Sequence, residues 1–313
     1  MDVRTSVTFD EAVAYPQVAA VRERVAGRDW GGAREVLDEL PAAGRSVATR
    51  VLSELDGCED FLREVLDRDP ADSAAAAALG YRLAIIGWRI RSRARAQFVS
   101  GEQFASFREW LLRAEAVLIE GAARNPHDPA LWTARLVTAR GLEVGLAEVR
   151  RRYDKVVALD PHHLPAQTQL LQSLCPKWSG SWELVHPFAR EAMLAAPPGA
   201  VQGMLVAGGH IEHWSDLSKK AGDAYLSSEP VRRELHEAAD RSVLHPEFGR
   251  DHGWVQAVST FAFVFSMMGD MRRAGQLFTA LGDVFTELPW GYLGDPAEQF
   301  ELYRRRALGG GTR

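Results

Sequence analysis

Thiols are scarce in this chain: Cys58 and Cys175 are the only cysteines in 313 residues. Both fall inside helical patterns, so two separate buried thiols are expected rather than a disulfide or half of a metal site. Positive charge is short as well. The 37 Lys and Arg are outnumbered by 42 Asp and Glu, giving a net charge of −5, and a phosphate backbone needs a dominant basic surface, so no nucleic-acid partner is expected. No apolar run approaches the ~20 residues that cross a bilayer, so no membrane is expected either. The opening MDVRTSVTFDEAVAYP carries acids where a secretory leader would be basic and then apolar; a cytoplasmic protein is the expectation. No run alternates convincingly as a strand does, and no Asn-Gly or Asp-Gly hairpin signal accompanies one. A Gly-x-Ser-x-Gly elbow, a phosphate loop and a dinucleotide fingerprint are all missing, and the Gly-Gly pairs at 31–32 and 208–209 lack the strand a phosphate loop needs. No cofactor and no metal are expected.

What is present is helical period. Residues 141–159 place Leu142, Leu146, Val149, Tyr153 and Val156 on one face. Residues 181–196 do the same with Trp182, Val185, Ala189, Ala192 and Met193, and residues 270–287 with Ala274, Leu277, Phe278, Leu281 and Phe285. Asp128 can cap a helix beginning at Pro129, and Ser181 one carrying Trp182. Gly269-Asp270 breaks the pattern between two helices, and Pro289-Trp290-Gly291-Tyr292 is a stiff aromatic turn before the last one. Residues 73–99 have no strong stop, and two internal glycines cost only about 1 kcal/mol each against Ala. One long helix is expected there, or two bent at Gly87.

Pro70, Pro126, Pro161 and Pro197 each follow an apolar helical stretch. The last three are spaced by 35 and 36 residues, the length of one helix-turn-helix unit in a stacked array. The 56 residues between Pro70 and Pro126 fit a lengthened helix at 73–99. Within the units a small residue is followed by a large apolar one four later and a proline eight after that. Ala114, Leu118 and Pro126 fit, as do Cys58, Leu62 and Pro70; Val149, Tyr153 and Pro161 fit with a larger first residue. Ala274 with Phe278 after Gly269-Asp270, and Asp29-Trp30 with Ala33, Leu37 and Leu40, match the second helix of a unit. Small residues are needed where helices cross closely, and large ones fill the gap beyond.

On these residues the chain resembles the tetratricopeptide repeats, over roughly 25–200 and 250–290. No unit carries that family's full pattern of Trp, Leu-Gly, Tyr, Ala, Phe and Pro. The stretch Cys-Pro-Lys-Trp-Ser-Gly-Ser-Trp at 175–182 is similar to a motif in an uncharacterised bacterial family with repeat-like helices. The resemblance implies a scaffold that takes a peptide or partner helix in a concave groove lined by the first helices of successive units.

Three clusters are candidates for chemistry or binding. In His210-Ile211-Glu212-His213-Trp214 the two histidines share a helical face and could ligate one metal, with Asp216 or Asp251 completing a site. His236, His245 and His252 follow. The spacing is not His-Glu-x-x-His, and capping or core roles are the plainer alternative. In Lys177-Trp178-Ser179-Gly180-Ser181-Trp182, Trp178 could stack on a ligand while Lys177 meets a carboxylate; alternatively both indoles seal a gap between repeats. Arg82, Arg89, Arg91, Arg93 and Arg95 form a basic stretch in which Arg82, Arg89 and Arg93 share a face. They could grip an acidic partner segment, or pair with acids such as Glu102 and Glu109.

The expectation is thus an all-α protein of antiparallel helix pairs stacked as a degenerate tetratricopeptide-like solenoid. It forms one helical-repeat domain over 1–308, with any sub-division near 200–215, and a disordered tail at 309–313. Its expected role is a scaffold binding a peptide or protein partner through Arg89, Arg93, Lys177, Trp178, His210, His213 and Trp214. The alternatives are an enzyme or enzyme subunit with a metal or acid–base site built from histidines in 210–252, and a purely structural, oligomer-forming module.

Overall fold

The computed structural model describes residues 10–92 and 96–309. Among them every regular element is helical and no β-strand occurs. Contacts between Cα atoms divide the chain into two compact units, Tyr15–Gly180 and Ser181–Arg313 with Met1–Ala14.

The first unit holds α1 (Pro16–Ala26), α2 (Trp30–Glu39), α3 (Ala42–Ser53), α4 (Glu59–Arg68), α5 (Ser73–Arg91), α6 (Gly101–Arg124), α7 (Pro129–Gly141), α8 (Leu146–Val157) and α9 (Leu164–Leu174). Their ends follow local chemistry. Asp29, Asp72 and Asp128 each accept a backbone N–H of the first helical turn, and Ser100 and Gln103 form a reciprocal capping box. Pro70, Pro126 and Pro161 stand just beyond α4, α6 and α8, where a missing N–H ends the ladder. Odd-numbered helices pack on one another in succession, α1 on α3, α3 on α5, α5 on α7 and α7 on α9; α2, α6 and α8 pack on both of their neighbours in sequence, and α4 packs on α5. The helices α4 and α8 bury one stripe, whereas α5 is buried all round over 75–84 and α7 over 129–139.

Residues 73–91 form one helix without a break at Gly87, ending where Ser92 takes φ 64°. The pair α5 and α6 packs closely because glycine removes the obstacle: a Cβ on Gly80 would stand 2.4 Å from the Leu118 side chain. Residues 141–159 begin on the last residue of α7 and cross a turn before α8. Leu142 closes α7, and Gly145 at φ 88° precedes α8, so Leu142 leaves the stripe that Val149 and Val156 bury.

The second unit holds α10 (Trp182–Ala195), α11 (Gly203–Asp216), α12 (Lys219–Ser227), α13 (Glu229–Arg241), α14 (Trp254–Met267), α15 (Met271–Leu281), α16 (Glu287–Trp290) and α17 (Pro296–Gly309). Here α11 packs on α10, α12, α13 and α14, and α14 on α15 and α16. Ser181 occupies the N-cap of α10, but its hydroxyl makes no capping bond. Asp270 does cap α15, after Gly269 at φ 75°. Phe261, Phe263, Phe265, Phe278, Phe285, Phe300 and Trp290 are each wholly buried, Phe263, Phe278 and Phe300 around Trp290, whose indole donates to Ser259 Oγ at 3.0 Å. Gly309 ends α17; the rest of the expected tail, 310–313, lies outside the described residues.

Candidate functional site

Two arginines of the basic stretch, Arg82 and Arg89, pair with acids of the chain. Arg82 is buried on α5, where its guanidinium donates to Glu59 at 2.6 Å, Asp56 at 2.7 Å and the Ser53 carbonyl at 3.1 Å. Arg89, two turns on, reaches Glu54 and Asp56, each at 2.6 Å. The two arginines fasten the α3–α4 loop onto α5. The acids that hold Arg89 are neither Glu102 nor Glu109. Arg93 lies outside the described residues.

Trp178 ends a short 3-10 turn, Pro176–Trp178, and is half-buried. Its ring meets Trp88 edge-on with centroids 5.6 Å apart, and the Arg140 guanidinium lies over both rings, at 5.3 Å from Trp88 and 5.8 Å from Trp178. Lys177 beside it is exposed. Trp182, read from sequence as core, is half-buried on α10 in the other unit.

The histidines do assemble, in a different set from the one their sequence positions suggest. His210 is buried on α11, with Nε2 3.0 Å from Glu234 Oε2 on α13 and Nδ1 2.6 Å from the Tyr225 hydroxyl on α12. The same hydroxyl is 3.5 Å from Nε2 of His186 on α10, and that nitrogen is 3.1 Å from Nδ1 of His213. His213 also stacks flat on Trp182, 4.3 Å between centroids and 5° between planes. Glu234, His210, Tyr225, His186 and His213 therefore form one continuous hydrogen-bonded chain linking four helices.

Burial, then the neighbouring His210 and His213, pulls the His186 pKa down to about 4. Burial followed by His210 lowers His213 as well. The hydrogen bond from His210 holds Glu234 below the usual carboxylate range, and burial followed by Glu234 pushes the Tyr225 phenol up. The cluster thus favours neutral His186 and His213, a neutral phenol on Tyr225 and a carboxylate on Glu234.

His236, His245 and His252 are not part of it. His236 faces Asp270 at 3.2 Å, His245 Nδ1 accepts from the Glu247 amide, and burial lowers His252. Trp214 is half-buried, packing edge-on against Phe263 at 5.7 Å and closely over Gly222. Among the described residues no group of three His, Cys, Asp or Glu is placed to hold a metal ion. Both cysteines are buried thiols outside any disulfide, and burial pushes the Cys58 thiol up to about 11, away from reactivity.

Sequence reading passed over His186, Tyr225 and Glu234. His186 had a local signal, four residues after Trp182 on the same helical face. Glu234 and Tyr225 had none, because their partners are 24 and 15 residues away.

The first unit carries a cleft of about 400 Å³ lined by α2, α3, the start of α5 and the α6–α7 corner. Arg34, Arg45, Arg124 and His127 bring cationic or protonatable groups to it. Arg34 is paired with Asp38 at 2.7 Å and Arg124 with Glu120 at 3.3 Å. Arg45 is half-buried and donates only a long bond, 3.4 Å, to the Leu40 carbonyl; no carboxylate pairs with it among the described residues. By contrast, the inner helices leave little room between themselves. Helix α3 packs on α7 and α9, and Ser46 Oγ lies 3.0 Å from His163 Nε2 across that contact.

No protein-family model matches the chain, and no curated protein matches it.

Proposed function

We propose that the chain is a helical scaffold of tetratricopeptide-like units that binds an acidic segment of a partner protein in the cleft lined by Arg34, Arg45, Arg124 and His127. The alternation of successive odd-numbered helices with flanking even-numbered ones, and the prolines closing α4, α6 and α8, support a stacked-pair, solenoid reading of the first unit. The observation that carries the binding role is Arg45. A guanidinium is a planar fork that matches a carboxylate, and leaving one half-buried without such a partner suits a site completed by a ligand. Ser73, Ala74 and Ala130 bring the first turns of α5 and α7 to the same cleft, whose helix dipoles favour negative charge.

Fluorescence anisotropy with a labelled Glu- and Asp-rich peptide, and a Lys-rich peptide of equal length as control, tests this. The acidic peptide binds, and its affinity falls with added salt. Arg45→Glu weakens it at least tenfold while leaving the melting temperature unchanged. Equal affinity for both peptides, or an Arg45→Glu variant that binds as the parent does, sinks the proposal.

The Glu234–His210–Tyr225 arrangement of carboxylate, imidazole and hydroxyl is the observation that favours an acid–base enzyme as a second reading. Burial and the nearby Glu234 keep the phenol protonated, which suits holding a proton better than attacking a substrate.

A further inference from the structure

The five-membered chain in the second unit does more than satisfy buried polar atoms. A neutral imidazole has one N–H donor and one bare acceptor nitrogen. With Glu234 accepting the Nε2–H of His210, the bare Nδ1 of His210 accepts from Tyr225 O–H. The contact between His186 Nε2 and His213 Nδ1 then shares a single hydrogen.

A proton added at His210 Nδ1 turns that atom into a donor toward the Tyr225 oxygen. The phenolic hydrogen must then turn to the other acceptor within reach, His186 Nε2. That nitrogen must be bare, so His186 carries its hydrogen on Nδ1 and His213 its hydrogen on Nδ1, each ring losing one proton and gaining another by exchange with water. One proton reverses the His210–Tyr225 link and leaves His210 Nε2–H donating to Glu234 as before. Once His186 and His213 are both protonated, every ring nitrogen of the pair carries a hydrogen, so two donors face each other at 3.1 Å and the link between α10 and α11 is lost.

We propose that Glu234, His210, Tyr225, His186 and His213 are a proton-operated latch that holds α10, α12 and α13 onto α11 at neutral pH and releases α10 in acid. The charges around it are few. Glu183 and Arg190 face it from α10, Asp216 from α11 and Glu237 from α13, where Arg190 reaches Glu237 at 2.9 Å and Glu234 at 3.6 Å. His186 lies with its ring centroid 4.7 Å from that of His210, so a charge on His210 discourages the second proton until the solution is well acid.

Two measurements on the full chain test the latch. The first is proton uptake on unfolding, read from the pH dependence of the melting temperature between pH 7.5 and 5.0. His186→Gln should lower that uptake by about one proton. Should that variant fail to fold, the half-exposed His213→Gln reads the same loss. The second is ring-nitrogen NMR of histidine-labelled protein, in which the His186 nitrogens follow those of His210 through the titration and stop following them in Tyr225→Phe. Unchanged proton uptake in the glutamine variants, ordinary separate titrations of His186 and His213, or coupling that survives Tyr225→Phe would each overturn it.

Discussion

The two units solve the same problem, polar groups inside a helical core, with different chemistry. In the first unit Glu115 of α6 accepts from Arg135 of α7 at 2.7 Å, from Arg152 of α8 at 3.1 Å and from the Thr138 hydroxyl, while Arg152 also donates to the Arg135 carbonyl at 2.6 Å. Arg82 with Glu59 and Asp56 is a second such knot. Guanidinium and carboxylate keep their charges from mildly acid to strongly basic solution. In the second unit the buried polar centre is three imidazoles, a phenol and one carboxylate, and burial lowers two of those imidazoles, His186 and His213, so that they take up protons only in acid. The first centre is built to stay as it is, and the second is built to respond.

The comparison is strongest where the charges are most buried. Glu115→Ala leaves two guanidiniums, with side chains 10% and 5% exposed, without their shared carboxylate. The expected loss is about 3–5 kcal/mol, read by urea unfolding, with the first unit unfolding first. A loss below ~1 kcal/mol would mean that water reaches the network. The aromatic counterpart is Trp290→Ala, wholly buried against Phe263 at 5.2 Å and Phe300 at 5.5 Å, with an expected cost of about 3–4 kcal/mol carried by the second unit.

Acid should separate the units. His186 titrates at about 4 when folded and near its ordinary 6.5 when unfolded, so the unfolded chain binds the extra proton between those values. Stability is therefore full above about 6.5 and is lost as pH falls toward 4. His213 adds to the same trend, and Glu234, lowered when folded, withdraws its contribution at still lower pH. The first unit has one counterpart, His163, which burial also lowers. A melting curve in which the second unit's transition drops further than the first between pH 7 and 5 is the expected outcome; parallel shifts would count against the contrast.

Smaller effects sharpen it. Trp182 is only half-buried, so Trp182→Ala should cost about 1–2 kcal/mol, mostly its stack on His213, rather than the full price of a core tryptophan. Glu54→Gln removes an exposed partner of Arg89 and should change stability by under ~1 kcal/mol.

Helix boundaries were legible because caps and prolines act within a few residues. Asp128 before Pro129, Gly269-Asp270 before α15, and Pro70, Pro126 and Pro161 all mark ends that the structure contains. Periodicity was less informative for α7, since a helix buried on every side has no stripe to display. It also merged the end of α7 with α8, because Leu142 falls in phase with Val149 across a turn. The candidate site was legible only in part. His210 and His213 stand out in the sequence, yet what they touch is set by the packing of α10, α12 and α13 on α11. The arginines at 82 and 89 looked like a free basic face because the acids that hold them come from the α3–α4 segment, 23 to 35 residues earlier.

Residue-resolved hydrogen exchange of the whole chain at pH 7.5 and 5.0, compared as protection factors, tests the central contrast most directly. Protection in α10–α13 should fall on acidification while protection in α6–α8, around Glu115, Arg135 and Arg152, stays as it was. Equal loss in both regions, or a loss confined to α6–α8, would contradict a permanent polar centre in one unit and a protonatable one in the other.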